Sequence, residues 1–308
     1  MTIPSSWIGI DISKAWLDIA DAGKAVRLAN KPTPLAAWTA SLQGRDVIVV
    51  FEATGHYDTA LRHALAASGI AHARVNPQRA RDFARACGRL AKTDTLDAAM
   101  LAEMGRALCL QPDPPPDQTL ETLALLNRRR DQLVAMRQQE RARRSDQDNP
   151  QIQADLETHI AWLSQAIVDL EAAIHDLIEA APPLAEAEAL MRSTPGVGAV
   201  TAATLIALMP ELGHRSHKAI AMLAGLAPVN ADSGQRRGQR AIRGGRRRVR
   251  QALYMAAVST LRNGSPFMPF YNKLRQAGKP PKVALIALAR KILVTLNAII
   301  RKGKPFAA

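Results

Sequence analysis

Four carboxylates in the first third of the chain are spaced as if for one task. Asp94 and Asp97 lie in Ala91-Lys92-Thr93-Asp94-Thr95-Leu96-Asp97-Ala98-Ala99-Met100, and positions three apart share one face of a helix. Asp11 interrupts the apolar run Trp7-Ile8-Gly9-Ile10-Asp11-Ile12-Ser13, and Glu52 follows Val47-Ile48-Val49-Val50-Phe51. An acid in a first strand, one ending a later buried strand and two on a following helix can converge at one end of a sheet. Carboxylates gathered that way repel unless cations neutralise them. Oxygen donors suit magnesium or manganese, and paired metals can clamp both the attacking and the leaving oxygen of a phosphodiester. Each acid alone has an ordinary explanation: Asp94 as an N-cap, Asp97 as a favourable first-turn charge, Asp11 as a strand end. Together, on a very basic chain, they favour a metal site.

A second chemistry is suggested further on. Leu223-Ala224-Gly225-Leu226-Ala227-Pro228 leads into Ser233-Gly234 and then into a crowd of arginines: Arg236, Arg237, Arg240, Arg243, Arg246, Arg247, Arg248 and Arg250. Gly234, Gly238, Gly244 and Gly245 keep this segment turned. Such a segment should grip phosphates. A serine there could attack phosphorus, with guanidinium groups stabilising the developing charge. Loop serines are common, so the residues alone make this a weak inference.

The elements that must position these groups can be read from the pattern. Apolar runs at 7–13, 16–20 and 24–30 predict a small meander of strands. Pro32 and Pro34 are read as breaking it, with a helix over 35–42. The solid run 47–51 predicts a strand covered on both faces, followed by a helix over 56–67, a strand over 71–75, a turn at Asn76-Pro77 and another helix. Strands followed by alternating helices and strands indicate an α/β layer. Gln111-Pro112-Asp113-Pro114-Pro115-Pro116-Asp117 cannot continue a helix and predicts a stiff linker.

Beyond it, 120–144 reads as a helix with Arg130, Arg137, Arg141 and Arg144 along one stripe, either a solvated face or a row of phosphate contacts. Leu156, Ile160, Leu163, Ile167, Leu170, Ile174 and Leu177 alternate intervals of four and three, the seam of a coiled coil or helical hairpin. Thr194-Pro195-Gly196-Val197-Gly198 suggests a helix-hairpin-helix element, its amides near Gly196 and Gly198 able to hold a DNA phosphate. A plain helix–helix turn fits that pattern almost as well. Apolar-periodic helices from 251 onward close the chain. The expected domains are 1–111, 118–182 and 183–308.

Composition narrows the partners. Over 308 residues the formal net charge is +14, which favours a polyanion such as nucleic acid. The two cysteines, Cys87 and Cys109, have no metal-type spacing, which argues against a disulfide scaffold and for a reducing interior. No signal-peptide pattern is evident, and no uninterrupted apolar run is read as membrane-spanning. A cytoplasmic, nucleoid-associated protein without a membrane partner is expected. Aromatic residues do not interleave with the basic runs, so no base-stacking platform is expected.

Taken together, these motifs resemble one family. Gly9-Ile10-Asp11-Ile12-Ser13-Lys14, Phe51-Glu52-Ala53-Thr54-Gly55, Val75-Asn76-Pro77 and Ala91-Lys92-Thr93-Asp94-Thr95-Leu96-Asp97-Ala98 are similar to the N-terminal motifs of the DEDD insertion-sequence transposases. Thr194-Pro195-Gly196-Val197-Gly198, Gly225-Leu226-Ala227-Pro228, Ser233-Gly234 and Arg243-Gly244-Gly245-Arg246 are similar to their C-terminal motifs, in the same order. The resemblance implies an α/β, RNase H-like (RuvC-like) N-terminal domain, a long helical coiled-coil arm and a mostly α-helical C-terminal domain. It implies that Asp11, Glu52, Asp94 and Asp97 bind magnesium or manganese and that Ser233 links covalently to DNA. Asp232 stands before that serine where the family often has Gln, adding negative charge beside it. It further implies donor and target DNA, a structured bridge RNA as guide, and a dimer or tetramer joined through the arm, in which acids of one subunit meet the serine of another. A RuvC-like nuclease without a covalent intermediate and a non-catalytic nucleic-acid-binding protein are the alternatives.

Overall fold

The computed structural model describes residues 6–88, 94–229, 241–261 and 264–307, with the backbone alone at 94–96 and 229. The chain divides into two compact units, Met1–Asp117 and Gln118–Ala308.

The first unit is built on a five-stranded sheet of order β3-β2-β1-β4-β5. Strands β1 (Ser6–Ile12), β2 (Trp16–Asp21) and β3 (Lys24–Ala29) form the antiparallel meander, and β4 (Val47–Glu52) and β5 (Ala71–Val75) run parallel to β1. Ala22 and Gly23 both take left-handed backbone angles, φ 47° and 83°. That is what a two-residue hairpin turn of type I′ needs. Between the strands lie α1 (Pro32–Ala40) and α2 (Thr59–Ala67), and α3 (Pro77–Ala86) and α4 (Asp94–Leu108) follow β5. The mixed sheet with helices is compatible with an RNase H-like domain.

Strand alternation sorts the side chains into two cores. Ile8, Ile10, Ile12, Leu17, Ile19, Val49 and Phe51 face Leu35 of α1 and Leu61 and Leu65 of α2. Trp7, Ile48, Val50, Ala73 and Val75 face Ala80 of α3 and Met100, Leu101 and Met104 of α4. Burial on both faces explains why the β4 sequence is apolar without alternation. Pro32 and Pro34 open α1 instead of breaking the chain before it. An N-terminal turn has no intrahelical use for the missing N–H, and the fixed φ of proline suits it.

The edge strand β5 is not left bare. Asp113, in the proline-rich segment, donates its N–H to the His72 carbonyl at 2.7 Å and accepts from the Arg74 N–H through Oδ2 at 2.8 Å. A rigid segment bonded along an edge removes a template for unwanted strand pairing.

The second unit starts with α5 (Gln118–Ser145) and α6 (Pro150–Glu179), a hairpin turned at Asn149, which caps α6 through its side chain. Every residue of the predicted seam is buried or half-buried. Leu163 and Ile167 meet Leu133 of α5, and Ile174 and Ile178 join Leu123 in the core of the helices that follow. Those helices are α7 (Pro182–Arg192), α8 (Ala199–Leu208), α9 (His217–Leu223), α10 (Arg247–Ser259), α11 (Met268–Gln276) and α12 (Pro281–Lys302), with a two-stranded ribbon of β6 (Pro228–Val229) and β7 (Ala241–Ile242). By length and composition alone α12 could cross a membrane, although Arg290 and Lys291 interrupt its apolar run. Its Leu285, Leu288, Ile292, Leu293 and Leu296 are instead core residues of this unit.

Candidate functional site

Asp11 belongs to the face of β1 that carries Trp7 and Gly9, opposite Ile8, Ile10 and Ile12. Glu52 belongs by the same alternation to the β4 face of Ile48 and Val50. Register pairs Ile10 with Phe51, so Asp11 and Glu52 follow side by side at the C-terminal ends of neighbouring parallel strands. Both lie on the α4 face of the sheet.

Two glycines set how α4 crosses that face. A Cβ on Gly9 would fall 1.9 Å from the Ala98 carbonyl oxygen and 2.6 Å from the Ala102 nitrogen. A Cβ on Gly105 would meet the Trp7 ring at 2.5 Å and Val50 Cγ2 at 2.8 Å. Helix and strand backbones therefore touch, and α4 runs antiparallel to β1, with Gly105 over Trp7 and Ala98–Ala102 over Gly9. From Gly9 to Asp11 is about 6.6 Å along a strand, and one turn back along the helix is about 5.4 Å. The first turn of α4 thus arrives at the end of β1 that bears Asp11. Asp97 is carried there, and Asp94 opens the helix, its side chain being outside the described residues.

Asp11, Glu52 and Asp97 are each half-buried. The positive end of the α4 dipole faces this cluster and offsets part of its charge. Such a set of carboxylate oxygens fits magnesium or manganese by donor type.

One acid was missed in the sequence reading. Asp18 lies directly opposite Asp11 across the β1–β2 pair, on the same face, and only 14% of its side chain is exposed. Arg27, opposite it on β3, donates from Nε at 2.8 Å and from Nη2 at 3.0 Å. The pair gives Asp18 its own cation. The signal was available, because a two-residue turn at Ala22-Gly23 fixes the register that opposes residues 18 and 27.

In the second unit Ser233, Asp232, Arg236, Arg237 and Arg240 lie outside the described residues, but the base of their segment does not. The ribbon pairs Pro228 with Ile242 and Val229 with Ala241, so both ends of 230–240 start from one place. Gly225 and Gly245 hold that base. A Cβ on Gly245 would lie 2.1 Å from the Gly225 nitrogen, and one on Gly225 would lie 2.4 Å from the Gly244 oxygen. Arg246 donates its backbone N–H to the Leu223 carbonyl at 2.8 Å, and Arg250 donates from Nη1 to the Gly244 carbonyl at 2.8 Å. Arg246 also grips Glu211 with two hydrogen bonds of 2.6 Å. Burial pushes the Glu211 carboxyl up, and the Arg246 bonds and charge more than reverse this, leaving it below the usual carboxylate range.

The 193–198 turn joins α7 to α8. Gly196, at φ 85°, packs where a Cβ would meet Thr260 Cγ2 at 2.4 Å and the Ala256 carbonyl oxygen at 2.6 Å, while Gly198 precedes α8 with open space around it.

The basic candidates divide sharply. Arg130 donates to Glu171 of α6 at 2.7 Å, Arg137 to Ser164 at 3.3 Å, and Arg144 pairs with Glu157 at 2.6 Å. Arg248 of α10 forms a two-point pair with Asp131 of α5. These arginines tie helices together. Arg141, Arg243 and Arg247 are exposed.

Comparison with known proteins adds an independent line. A family model described as "Transposase", of DEDD type, matches residues 8–147, and one described as "Transposase IS116/IS110/IS902 family" matches residues 188–272. Pilin gene-inverting proteins of Moraxella bovis and Moraxella lacunata are 29% and 28% identical, over 98% of this chain and 97% of theirs. An uncharacterized 43.6 kDa protein of insertion element IS110 from Streptomyces coelicolor is 34% identical over 44% of this chain and 33% of its own. The first family match spans the acids and the second spans the glycines and arginines around Ser233: the chain belongs to the IS110-type family of DEDD insertion-sequence transposases.

Proposed function

We propose that this protein cuts and rejoins DNA through a serine-linked intermediate, with Asp11, Glu52, Asp94 and Asp97 as the metal-binding acids and Ser233 as the nucleophile. The observation that carries the reading is the antiparallel passage of α4 over Gly9, which brings Asp97 to the strand ends bearing Asp11 and Glu52. A divalent metal, magnesium or manganese, would supply charge neutralisation at the scissile phosphate when bound. Ser233 Oγ forms a bond to phosphorus while one ester oxygen of the DNA leaves as a hydroxyl, taking up the proton the serine gives up. A second DNA hydroxyl then attacks the serine-linked phosphate, restores Ser233 and joins the new strand. One phosphodiester is exchanged for another, so the sequence needs no external energy source.

Exposed Arg141, Arg243 and Arg247, together with Arg236, Arg237 and Arg240, would hold donor and target DNA through phosphates. A bridge RNA as guide, assembly as a dimer or tetramer through the α5–α6 arm, and a cytoplasmic, nucleoid-associated location follow from the family resemblance. The relatives matched end to end are named for gene inversion. Inversion is the outcome of this same chemistry when both recombining sites lie in one DNA molecule in opposite orientation, and we include it as the second reading.

The test is a denaturing gel of the protein with its RNA, labelled donor and target DNA, and magnesium. Wild type should give a protein–DNA adduct that Ser233→Ala and Asp97→Ala both abolish. Cleavage without an adduct, insensitive to the serine change, would mean a metal-only nuclease. Binding without cleavage would mean a non-catalytic nucleic-acid-binding protein.

A further inference from the structure

A second place in the molecule has the chemistry of a metal site, far along the sequence from the acids above. His175 and Glu179 are four residues apart on α6 and share a face. Glu188 comes from α7. One ligand atom from each of the three lies within 4.8 Å of the other two.

Glu188 makes the grouping more than a surface cluster. Its side chain is only 5% exposed, yet it accepts no hydrogen bond among the described residues. Its ion-pair neighbour is Arg192, at 3.7 Å and half exposed itself. A carboxylate on so little-exposed a side chain, with one long ion pair as its contact, has room for a further cationic partner. Glu179 is the last residue of α6, where the negative end of the helix dipole disfavours a carboxylate and favours a cation. Both anomalies disappear if a cation is shared between them.

His175 and Glu188 also line one cavity of about 60 Å³, with Asn127, Arg130, Glu171 and Ala199 among its other walls. It has room for water to complete a coordination shell.

We propose that His175, Glu179 and Glu188 bind a zinc-class divalent ion that fixes the root of the helical arm to the helices that follow it. One imidazole and two carboxylates suit a first-row transition metal better than the all-oxygen preference of magnesium. Metal–ligand bonds of about 2.1 Å put tetrahedral ligands roughly 3.4 Å apart. His175 and Glu179 are exposed and can swing by that difference, while buried Glu188 is the fixed point. The ion would join the final turn of α6 to α7 and set the direction in which the arm projects from the helices that follow it.

The test uses the full-length protein in excess magnesium, with zinc added while bound metal and thermal unfolding are measured. At zinc about 100-fold above its dissociation constant, the melting temperature of the second unit should rise by about 5–10 °C. His175→Ala and Glu188→Gln should lose that rise and bind one zinc fewer per chain. Asp97→Ala should keep the rise, which separates this site from the acids of the first unit. No zinc-dependent rise, or one that vanishes in Asp97→Ala and survives in His175→Ala, would overturn the proposal.

Discussion

The acids of the first unit and the arginines of the second were read by the same logic, as charges repeated along regular elements. The structure treats them differently. Asp11 and Glu52 sit on strands whose register leaves no freedom about which face they occupy, and α4 is held against β1 by backbone contact at Gly9. Arg130, Arg137 and Arg144 share one stripe of α5, and a stripe can meet solvent or another helix equally well. Here all three engage α6. An acid at a strand end is therefore informative in a way that a basic helical stripe is not. The stripe becomes informative only once its neighbour is known.

That contrast can be broken at its strongest point with Gly9→Val. The added atoms would strike the backbone at Ala98 and Ala102, and overpacking of this kind costs about 1–3 kcal/mol. Because α4 must move to relieve the clash, Asp97 moves with it. DNA cleavage should fall by at least about 100-fold, more than the loss of folded protein explains, and circular dichroism melts beside cleavage assays would show both. Normal cleavage in a folded Gly9→Val protein would remove the main support for the acid site.

A smaller effect sharpens the difference among arginines. Arg130→Ala leaves Glu171 without its partner and should lower stability by about 1 kcal/mol, with little change in the salt dependence of DNA binding. Arg141→Ala should leave stability unchanged within about 0.5 kcal/mol and reduce the salt slope of binding by about one. The reverse pattern would return Arg130 to the nucleic-acid surface.

The smallest effect is on pH, and it distinguishes the two units. His72, stacked on Phe51 at 5.7 Å, is pulled below its usual range by burial, which the Asp113 charge only partly opposes. It is therefore held neutral in the folded protein. The unfolded chain binds the proton more readily, so stability is full above the ordinary value of 6.5 and is lost as pH falls below it. Glu211 in the second unit is also depressed, so its contribution is present above the ordinary 4.5 and is lost only in more acid solution. Titration from pH 8 downward should soften the first unit before the second. His72→Phe should remove the early phase.

Much of the first unit was legible from the chain. The strand positions followed from apolar runs because a sheet covered on both faces admits little else. The expectation that Asp11, Glu52, Asp94 and Asp97 act together rests on spacing and on resemblance to a family whose motifs recur here in order. The role of Pro32 and Pro34 was misread because proline ends one element and opens another with the same residue, and only the following packing of Leu35 decides which. Asp18 was overlooked because its importance lies in what stands opposite it, a relation between strands and not a property of either.

The sequence by itself determined the class of chemistry: which residues carry negative charge at strand ends, which segment concentrates positive charge, and where helices replace strands. Those follow from local periodicity and residue type, which need no partner. Only the tertiary structure decided that backbone contact at Gly9 brings Asp97 to Asp11 and Glu52, that Gly225 and Gly245 close the base of the serine segment, and that Arg246 and Arg248 serve Glu211 and Asp131. Each depends on a distance between residues remote in the chain, and charge or periodicity along one element cannot encode a distance to another.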